Sequence, residues 1–348
     1  MRQIGILLDW AILKRAYAGI PTFERLNYYE ELGKQMNLAP VFFHPLQVDF
    51  RTRKVRGYVY QKGKLIRTVT SVPPVIHNRI LTGNQETNRA IEKLGKFSQV
   101  YNGIVIRNKA AIHQYLWANS ALHPYLPRTA TFSQETLIQF LKQYPIVYVK
   151  PVIGSVGQGV GRIEQTGEKY LFITSEHRMH VTKKEVIAQV GKWVNVKRFL
   201  VQQGVMLAKY QGQTFDIRVS VQKDGLRQWG VSGFVCKIAN PENKLSNLAK
   251  GGRAEQIDKV LASLFPLDQI LRVKAELTRA AIEIAIQYNK YFPSLADLGM
   301  DMGIDPLGNP YLIEINVRDQ RYSFYKAGSI DMFRQTYLRP LEYGRSFF

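Results

Sequence analysis

The segment Gly299–Val317 reads GMDMGIDPLGNPYLIEINV and contains the residues that decide the fold of this chain. Its two apolar runs are separated by Pro-Leu-Gly-Asn-Pro, which is typical of a tight turn. The sequence therefore predicts an antiparallel strand pair that brings Asp301 of the first run close to Glu314 and Asn316 of the second. Because Glu314 and Asn316 alternate with apolar residues, we expect both on one face of the strand and isoleucines such as Ile313 in the core.

The three polar side chains of this pair are candidate metal ligands. Carboxylate and amide oxygens on a buried sheet are costly unless a hard cation neutralises them. Mg²⁺ held by a few carboxylates together with substrate phosphates is the usual arrangement. The alternative is a polar face on an edge strand, with Asp301, Glu314 and Asn316 in solvent.

A second signal lies upstream, where IVYVKP predicts a short buried strand, Ile146–Pro151, that carries Lys150. A lysine in such a strand is costly unless its ammonium meets an anion. The loop that follows is rich in glycine, which lets backbone N–H groups approach a ligand, so strand and loop together indicate a phosphate clamp. A glycine-rich hairpin turn with a solvated lysine is the alternative. The loop is neither a Walker motif nor a dinucleotide fingerprint, since neither Gly-Lys-Ser/Thr nor a helix follows it.

A third signal is the pair Asp216 and Arg218 in FDIRV. The two residues are an acid and a base on one face of a predicted strand. Taken alone, they indicate a surface ion pair as readily as a functional site.

The chain as a whole alternates predicted strands and helices, so we expect a mixed α/β protein without internal repeats. It begins with a strand at Gln3–Leu8, followed by a loop and a helix at Phe23–Met36. A hairpin is expected within 51–70 and a second helix at Ser133–Tyr144. The long helix Leu267–Tyr288 carries an apolar stripe that is typical of a core helix. The strand pair around the metal ligands completes the pattern.

Composition narrows the class of protein. The 348 residues are 45% hydrophobic and 22% charged, which fits two or three compact units and excludes collagen-like, coiled-coil and mainly disordered chains. The single cysteine, Cys236, excludes an intramolecular disulfide and a cysteine metal cluster, so a reducing cytoplasm fits. No apolar run reaches the ~18 residues that span a bilayer, and the apolar start is broken by Asp9 and lacks a small-residue cleavage site. Neither membrane insertion nor secretion is expected.

The charge balance is the unusual feature, since 48 Lys and Arg against 27 Asp and Glu give a net charge of +21. Such a charge indicates an anionic partner without identifying it. The basic residues are spread along the chain, and we expect most of them to form a solvated face. No dense basic arm or nucleic-acid-binding module is recognisable, so nucleic acid is not the expected partner.

Taken in order along the chain, these pieces resemble the ATP-grasp superfamily over about residues 105–320. Within it, the wording VQQGV, FDIRVSVQ and NLAKGG is most similar to the YheC/YheD-type proteins, which are described as associated with the spore coat of endospore-forming bacteria. The motifs that carry the resemblance are Lys109 at the head of a helix, Lys150, the glycine-rich flap Gly154–Gly161, the hinge strand Gln202–Val205, the Asp216–Arg218 strand, the segment Asn247–Gly252, and the strands with Asp301, Glu314 and Asn316.

The resemblance implies an α/β (α+β) chain with the ATP-grasp fold, in which two α+β lobes grip a nucleotide. A small N-terminal α/β domain would precede them. Under this interpretation residues 1–105 form the N-terminal domain, residues 106–198 the central lobe with the glycine-rich flap, and residues 199–348 the C-terminal lobe with the metal site.

Three groups of residues receive roles from the resemblance. In the ATP group the lysines contact the phosphates, the glycine-rich flap closes on them, and the hinge backbone contacts the adenine. The ATP group is Lys109, Lys150, Gly154, Ser155, Gly157, Gly159, Gln202, Gln203, Gly204, Val205 and Asp216. The group for Mg²⁺, or for Mn²⁺ in its place, is Asp301, Glu314 and Asn316. The group that would hold an acyl phosphate is Arg218, Lys237 and Asn247.

Three features depart from the superfamily pattern. Lys237 stands where relatives usually have an arginine near the transferred phosphate, so it supplies a point charge without a bidentate fork. The sequence NVRDQRYSF follows the second metal strand, where many relatives have Pro-Gly. No acidic residue precedes Asp216 after the hinge, where one often binds the ribose hydroxyls.

The function implied by the resemblance is that of an ATP- and Mg²⁺-dependent ligase, which activates a carboxylate as an acyl phosphate and passes it to an amine. Its partners would be ATP and an unidentified carboxylate and amine, with an anionic compound or a spore-coat peptide as candidates. One alternative is an ATP-grasp kinase of a small anionic substrate, which the positive charge would steer. Another is a coat-associated protein that binds nucleotide without turnover.

Overall fold

The computed structural model describes residues 1–103, 108–154, 159–194, 198–240 and 251–348. Within these ranges the strands form three sheets that follow one another along the chain. The sheets and the helices that cover them build a mixed α/β molecule, as the sequence predicts.

The first sheet has parallel strands at its centre. Strand β1 pairs in parallel with β2 and β6, and its residues Ile4 and Ile6 are completely buried. Such apolar runs are typical of parallel strands that are covered on both faces. The strands are β1 Arg2–Leu7, β2 Leu38–Phe43, β3 Val48–Asp49, β4 Lys54–Gln61, β5 Lys64–Ser71, β6 Val75–Asn78 and β7 Gln99–Tyr101, and their helices are α1 Trp10–Tyr17, α2 Leu26–Gln35 and α3 Gln85–Leu94.

The second sheet is antiparallel, in the order β12-β11-β10-β9-β13-β8. Ser133 caps one of its helices, and Thr182 with Glu185 forms a capping box at the other. The strands are β8 Thr129–Thr131, β9 Ile146–Pro151, β10 Gly161–Thr166, β11 Lys169–Ile173, β12 Arg178–Val181 and β13 Phe199–Gln203, and the helices between them are α5 Gln134–Gln143 and α6 Lys183–Trp193. Helix α4, Lys109–Trp117, and a short 3₁₀ helix, Ser120–Tyr125, precede the sheet.

The third sheet has the order β17-β16-β15-β18-β19, with β14 paired to β15. The strands are β14 Lys209–Tyr210, β15 Gln213–Lys223, β16 Trp229–Ile238, β17 Arg253–Gln256, β18 Asp297–Ile304 and β19 Pro310–Asn316. The helices are α7 Ile257–Ala262, α8 Leu267–Tyr291, α9 Tyr322–Lys326 and α10 Ile330–Arg345. The predicted core stripe of α8 is confirmed, since Leu277, Ala281 and Ile284 are completely buried.

Helices α1 and α10 are among those that the sequence interpretation did not expect. Helix α1 occupies the predicted loop after β1, because Asp9 ends the strand and the chain turns directly into a helix that buries Leu13. Helix α10 follows the strand pair that was expected to complete the pattern. It buries Phe333, Tyr337 and Leu341, which have a helical spacing, in one core with the first sheet.

The change from the second sheet to the third does not fall at the predicted boundary between residues 198 and 199. Strand β13 pairs with β8 and β9, so the second sheet continues to Gln203 rather than ending at position 198. Helix α4 precedes the second sheet but packs on the third. Its Tyr115 stacks on Tyr291 of α8, and the Tyr115 carbonyl accepts a hydrogen bond of 2.9 Å from Gln287.

A buried cluster of charges joins the first sheet to the third. The Asp297 carboxylate lies 3.0 Å from Arg79 at the end of β6 and 2.6 Å from Arg321 before α9. The same two arginines contact Glu24, at 3.0 and 3.3 Å. Burial alone would raise the pKa of Asp297, but the charges of Arg321 and Arg79 outweigh it and hold that pKa well below its usual range. The neutral His77 ring also faces Asp297, at 3.1 Å.

We expect Asp297→Asn to destabilise the protein severely. It would leave two buried guanidinium groups with only the Glu24 carboxylate between them, and breaking a buried pair of this kind costs about 3–5 kcal/mol. The measurement is the free energy of unfolding in urea. The matched control is Asp331→Asn at the exposed start of α10, which should cost less than about 1 kcal/mol. Equal losses in the two variants would contradict this account of the cluster.

Candidate functional site

A cavity of about 530 Å³ lies between the second and third sheets. Strands β9 and β13 form one wall and β19 forms the opposite wall, while α4 and the chain after β6 close the sides. The residues of the second sheet and of α4 that line it include Lys109, His113, Thr129, Lys150, Leu200 and Gln202. Those of the third sheet and of the chain after β6 include Leu312, Ile313, Glu314, Asn316, Arg318, Gln320, Ile80 and Leu81.

Lys109 connects the two walls. The Asn108 side chain caps α4 by accepting from the Ala111 N–H at 3.0 Å, which fixes Lys109 as the first residue of the helix. The Lys109 ammonium lies 3.0 Å from Glu314 on β19 and donates to the Gly154 carbonyl, after β9, at 2.8 Å. Its backbone N–H donates to the Val152 carbonyl at 2.9 Å.

Lys150 lies on the predicted strand, β9, and its side chain lines the cavity. Its neighbour on β13 is Leu200, so Gln202, two residues further, presents its side chain on the same face. The Lys150 ammonium donates to Gln202 Oε1 at 2.7 Å, and Gln202 Nε2 donates to Thr129 Oγ1 at 2.8 Å. This chain of hydrogen bonds holds the ammonium in place, and no carboxylate of the described residues is in direct contact with it.

The environment of Lys150 makes its ammonium easier to deprotonate. Burial, followed by the charge of Lys109, lowers the pKa of Lys150 to about 8, while Glu314 acts in the opposite direction. A buried lysine beside a second lysine is the arrangement expected where an anion binds, because the anion would relieve both penalties.

Strands β18 and β19 form the predicted pair, with Asp301 directly opposite Glu314. The register shifts after this pair, so that Met302 faces Leu312 and Ile313 is the extra residue of a β-bulge. The expectation that Ile313 lies in the core is therefore wrong: its side chain is 42% exposed and lines the cavity, whereas Ile315 is buried.

Asp301 is held by cations of the neighbouring strand β15 and of β16. Arg218, its neighbour in register, donates to both carboxylate oxygens at 2.8 and 3.2 Å, and Lys237 lies 2.9 Å away. Lys237 also contacts Asp216 at 2.8 Å. Burial raises the pKa of Asp301, but Arg218 and Lys237 outweigh it and hold that pKa below its usual range. Arg218 and Lys237, predicted to hold an acyl phosphate, thus face carboxylates in this structure.

The residues predicted as metal ligands fit a hard dication by their chemistry. The Asn316 amide donates to Asp301 at 3.3 Å, so two carboxylates and one amide oxygen belong to one cross-strand cluster. Hard oxygen donors of this kind suit Mg²⁺. No group of three or more His, Cys, Asp and Glu side chains with metal-binding geometry occurs in the described part of the chain. A dication at this cluster would therefore need oxygens from a ligand or water in addition to those of Asp301, Glu314 and Asn316.

Of the predicted hinge, Gln202–Val205, it is the Gln202 side chain rather than the backbone N–H groups that faces the cavity. Gln202 lines the cavity, but the Gln203 N–H donates to the Arg128 carbonyl at 2.8 Å and the Gly204 N–H to the Ile146 carbonyl at 2.7 Å. These two N–H groups are engaged within the protein. An adenine contact through the hinge carbonyls or Val205 stays a prediction.

The glycine-rich flap is described at both of its ends. Gly154 lines the cavity, and Gly159 has a φ of +70°, a left-handed conformation that favours glycine. Ser155, Gly157 and Asn247, which the sequence analysis also assigned to the site, lie outside the described residues.

Two residues of the site were missed by the sequence analysis. Arg318 is buried, lines the cavity and donates to the Val317 carbonyl at 2.8 Å. Asp319 accepts from Arg218 at 3.2 Å and from the Ser220 hydroxyl, and burial raises its pKa. The sequence did contain a sign of their importance, because both residues lie in the segment NVRDQR, which departs from the superfamily pattern.

Comparisons with known proteins agree with this geometry. A family model described as YheC/D like ATP-grasp matches residues 98–347. The endospore coat-associated protein YheD of Bacillus subtilis (strain 168) is 24% identical over 310 residues, which cover 85% of this chain and 68% of YheD. The endospore coat-associated protein YheC of the same strain is 22% identical over 339 residues, which cover 91% of each chain.

A solved structure shares the overall fold. D-cycloserine synthetase DcsG superposes with a TM-score of 0.56 at 11% identity, covering 97% of this chain and 99% of DcsG. At this identity the likeness concerns the fold alone. As a separate finding, none of the helices in the described ranges has both the length and the apolar character needed to cross a bilayer.

We expect the Lys150 amine to become nucleophilic near pH 8. The neutral form reacts with acylating reagents and appears as the pH rises through the pKa, so trace labelling with acetic anhydride and mass spectrometry gives the midpoint. Glu314→Gln should lower the midpoint, because it removes the carboxylate that raises this pKa. The exposed Lys142 is the internal reference for reagent reactivity. A midpoint near 10, typical of a solvated lysine, would contradict the assignment.

Proposed function

Because this chain belongs to the YheC/D-like ATP-grasp family, we propose that it binds ATP with Mg²⁺ between its second and third sheets and uses it to join a carboxylate to an amine. The observation that carries the proposal is the approach of Lys109 and Lys150, from α4 and β9, to the Glu314 and Asn316 side chains of β19 in one cavity. Phosphoryl transfer needs charge neutralisation and positioning more than covalent help from the protein, and these residues supply both.

The lining of the cavity offers groups for both halves of the nucleotide. Lys109 and Lys150 are assigned to the phosphates, and the apolar side chains of Leu200, Leu312 and Ile313 to the faces of the adenine. Asp301, Glu314 and Asn316 would hold Mg²⁺. When bound, the metal would supply positive charge to the phosphate oxygens. The Lys109 ammonium would exchange its contact with Glu314 for one with phosphate.

The acid substrate is assigned to the end of the cavity near Arg318. In a ligase of this kind the γ-phosphoryl group passes to the carboxylate, and the amine then displaces phosphate from the acyl phosphate. A cation must hold the anionic carboxylate and the acyl phosphate in turn. Arg318 lines the cavity, whereas Arg218 and Lys237 lie outside its lining, beside Asp301 and Asp216, so Arg318 is the stronger candidate.

For the substrates, the proposal names a chemical class rather than a compound. YheC and YheD are named endospore coat-associated proteins, which supports an association of this chain with the spore coat and a coat peptide as acid or amine substrate. The net charge of +21 favours an anionic substrate.

A second candidate function is nucleotide binding without turnover. The observation that favours it is the Asp301 carboxylate, which already accepts from Arg218, Lys237 and Asn316. A dication would have to compete with these groups for the same oxygens. In this case ATP would bind and remain intact.

The deciding experiment measures ADP release. Acids and amines are supplied singly and in pairs with ATP and Mg²⁺, and the products are weighed by mass spectrometry. A ligase releases ADP and phosphate only with a matched pair and forms an amide. ADP with a phosphorylated product from a single substrate identifies a kinase, and tight ATP binding without ADP under every condition identifies the non-catalytic alternative.

ATP should stabilise the protein against heat in the presence of Mg²⁺. A ligand at 100 times its dissociation constant stabilises the native state by about 2.7 kcal/mol, which differential scanning fluorimetry detects. A non-hydrolysable ATP analogue should act equally, whereas AMP should do far less because it lacks the phosphates that Lys109 and Lys150 contact. Lys150→Ala should lose most of the shift and the exposed control Lys142→Ala should keep it. The absence of a shift at millimolar nucleotide would remove the central proposal.

Glu314→Gln should lower the turnover rate rather than the stability. The substitution keeps the shape of the side chain but removes one charge from the metal site, and losses of this kind are about 10² or more in kcat. The melting temperature without ligand should change little, because the Glu314 carboxylate is partly exposed. Glu176→Gln, at an exposed position in the turn between β11 and β12, is the control. Normal turnover by Glu314→Gln would show that the metal assignment is wrong.

A further inference from the structure

One hairpin carries a third of the net charge of the protein. Residues 51–71, which contain β4 and β5 and are called the basic hairpin below, include seven lysines and arginines and no acidic residue. All seven side chains are exposed, and none of them forms an ion pair with a residue that the structure describes. The carboxylate of the nearest acid in sequence, Asp49, is engaged locally by Thr52 at 2.7 Å. The seven are Arg51, Arg53, Lys54, Arg56, Lys62, Lys64 and Arg67.

The outer strand of the basic hairpin is a free edge. Strand β5 pairs with β4 over its whole length and with no other strand in the described ranges. The two central turn residues, Lys62 and Gly63, have φ values of 48° and 76°, as in the two-residue turns that suit a regular hairpin. An edge of eight residues is long enough to receive another strand.

The turn determines which backbone groups of β5 point outward. Gln61 and Lys64 flank a two-residue turn, so they form a hydrogen-bonded pair, and such pairs recur at every second residue. The backbone N–H and C=O groups of Leu65, Arg67 and Val69 therefore point away from β4, toward the open edge.

Basic side chains project from one face of the hairpin beside the open edge. A partner strand added to β5 would project alternate side chains on the same face. Val69 lies directly opposite Arg56 and Arg67 opposite Tyr58, so Arg56, Arg67 and Val69 share one face. The Arg67 guanidinium lies over the Tyr17 ring at 4.9 Å, which restrains it beside the edge. Val69 is 64% exposed and offers an apolar contact between the two arginines.

We propose that β5 is a docking edge for an extended acidic segment of another polypeptide. The segment would continue the sheet as an antiparallel strand beside β5, with acidic side chains at every second position facing Arg56 and Arg67. Main-chain hydrogen bonds would provide affinity and the charges would provide selectivity, as in other cases of strand addition.

The charge of the edge argues for this occupant over two others. A second copy of this chain paired through β5 would bring two sets of basic side chains together, which is unfavourable. A nucleic acid would satisfy the charges, but its sugar-phosphate backbone has no amide N–H and C=O groups to continue the ladder. Lysine and arginine at an edge hinder self-association, and the same charges attract an acidic strand.

A labelled peptide of four Val-Glu repeats, blocked at both ends, tests the charges by fluorescence anisotropy at low salt. The double variant Arg56→Glu, Arg67→Glu should bind it about tenfold more weakly or worse. The control Lys184→Glu, Lys192→Glu makes the same charge change on the exposed face of α6 and should stay within about twofold. Equal losses in both variants would mean that only net charge attracts the peptide, and the proposal would fail.

Backbone methylation of the same peptide tests the ladder. Glutamates that face Arg56 and Arg67 direct their N–H groups toward β5, whereas the valine N–H groups point to solvent. N-methylation of the glutamates should abolish most of the binding, and N-methylation of the valines, with the same charge and composition, should have little effect. Equal affinity of the two methylated peptides would overturn strand addition.

Val69→Pro tests the backbone hydrogen bonds between β5 and the peptide by changing the protein instead of the peptide. Proline removes an N–H that points outward and leaves the bonds to β4 intact, so the variant should fold and bind the peptide about tenfold more weakly than Val69→Ala. If Val69→Pro does not fold, the methylated peptides still decide. Octathymidylate distinguishes the remaining alternative: binding as tight as that of the peptide and unaffected by Val69→Pro would identify a general polyanion surface and overturn the proposal. All these measurements are made without nucleotide, so their outcome is independent of the proposed reaction.

Discussion

The relative position of the first and third sheets depends on the buried carboxylate of Asp297. It accepts from Arg79 at the end of β6 and from Arg321 before α9, and its other oxygen accepts from Gln222 at 2.8 Å. Apolar surfaces alone allow many packings of similar energy, whereas these directional bonds select one of them. Because Ile80 and Leu81 follow Arg79 directly, the same bonds bring the first sheet to the wall of the ATP-grasp cavity.

The features that could be predicted from the sequence are those determined by local residue patterns. The β18–β19 pair follows from its turn and its alternation, and the ATP-grasp fold implied by the motifs is confirmed. The bulge at Ile313 was beyond reach, because it depends on the register with the partner strand. The contact between Arg79 and Asp297 was also beyond reach, since isolated charged residues far apart in sequence look the same whether they are solvated or buried in pairs.

Several charged groups of the site are paired with one another in the free protein. Lys109 pairs with Glu314, and Asp301 is shared by Arg218 and Lys237. An unpaired charge in place of the buried Asp301 cluster would be strongly destabilising, so these ion pairs help to keep that part of the site folded, whereas the pair of Lys109 and Glu314 is partly exposed and contributes little to stability. They also set a threshold for ligands, because a phosphate or a metal ion must offer more than the partner it displaces. A highly charged ligand would then be selected because it can displace these internal ion-pair partners. Unpaired charges in an open cleft would not be needed for this selectivity.

Helix α4 has a mechanical consequence. It packs on α8 of the third sheet through Tyr115, while its first residue is hydrogen-bonded to Val152 at the end of β9 in the second. Helix α4 therefore links the second and third sheets at one side of the cavity. Movement of the two sheets relative to each other would strain the contacts of this helix, which at the second sheet include the hydrogen bonds of Lys109 to the Val152 and Gly154 carbonyls. In the proposed function Lys109 also contacts the phosphates, so the same residue would bind the ligand and influence its entry and release.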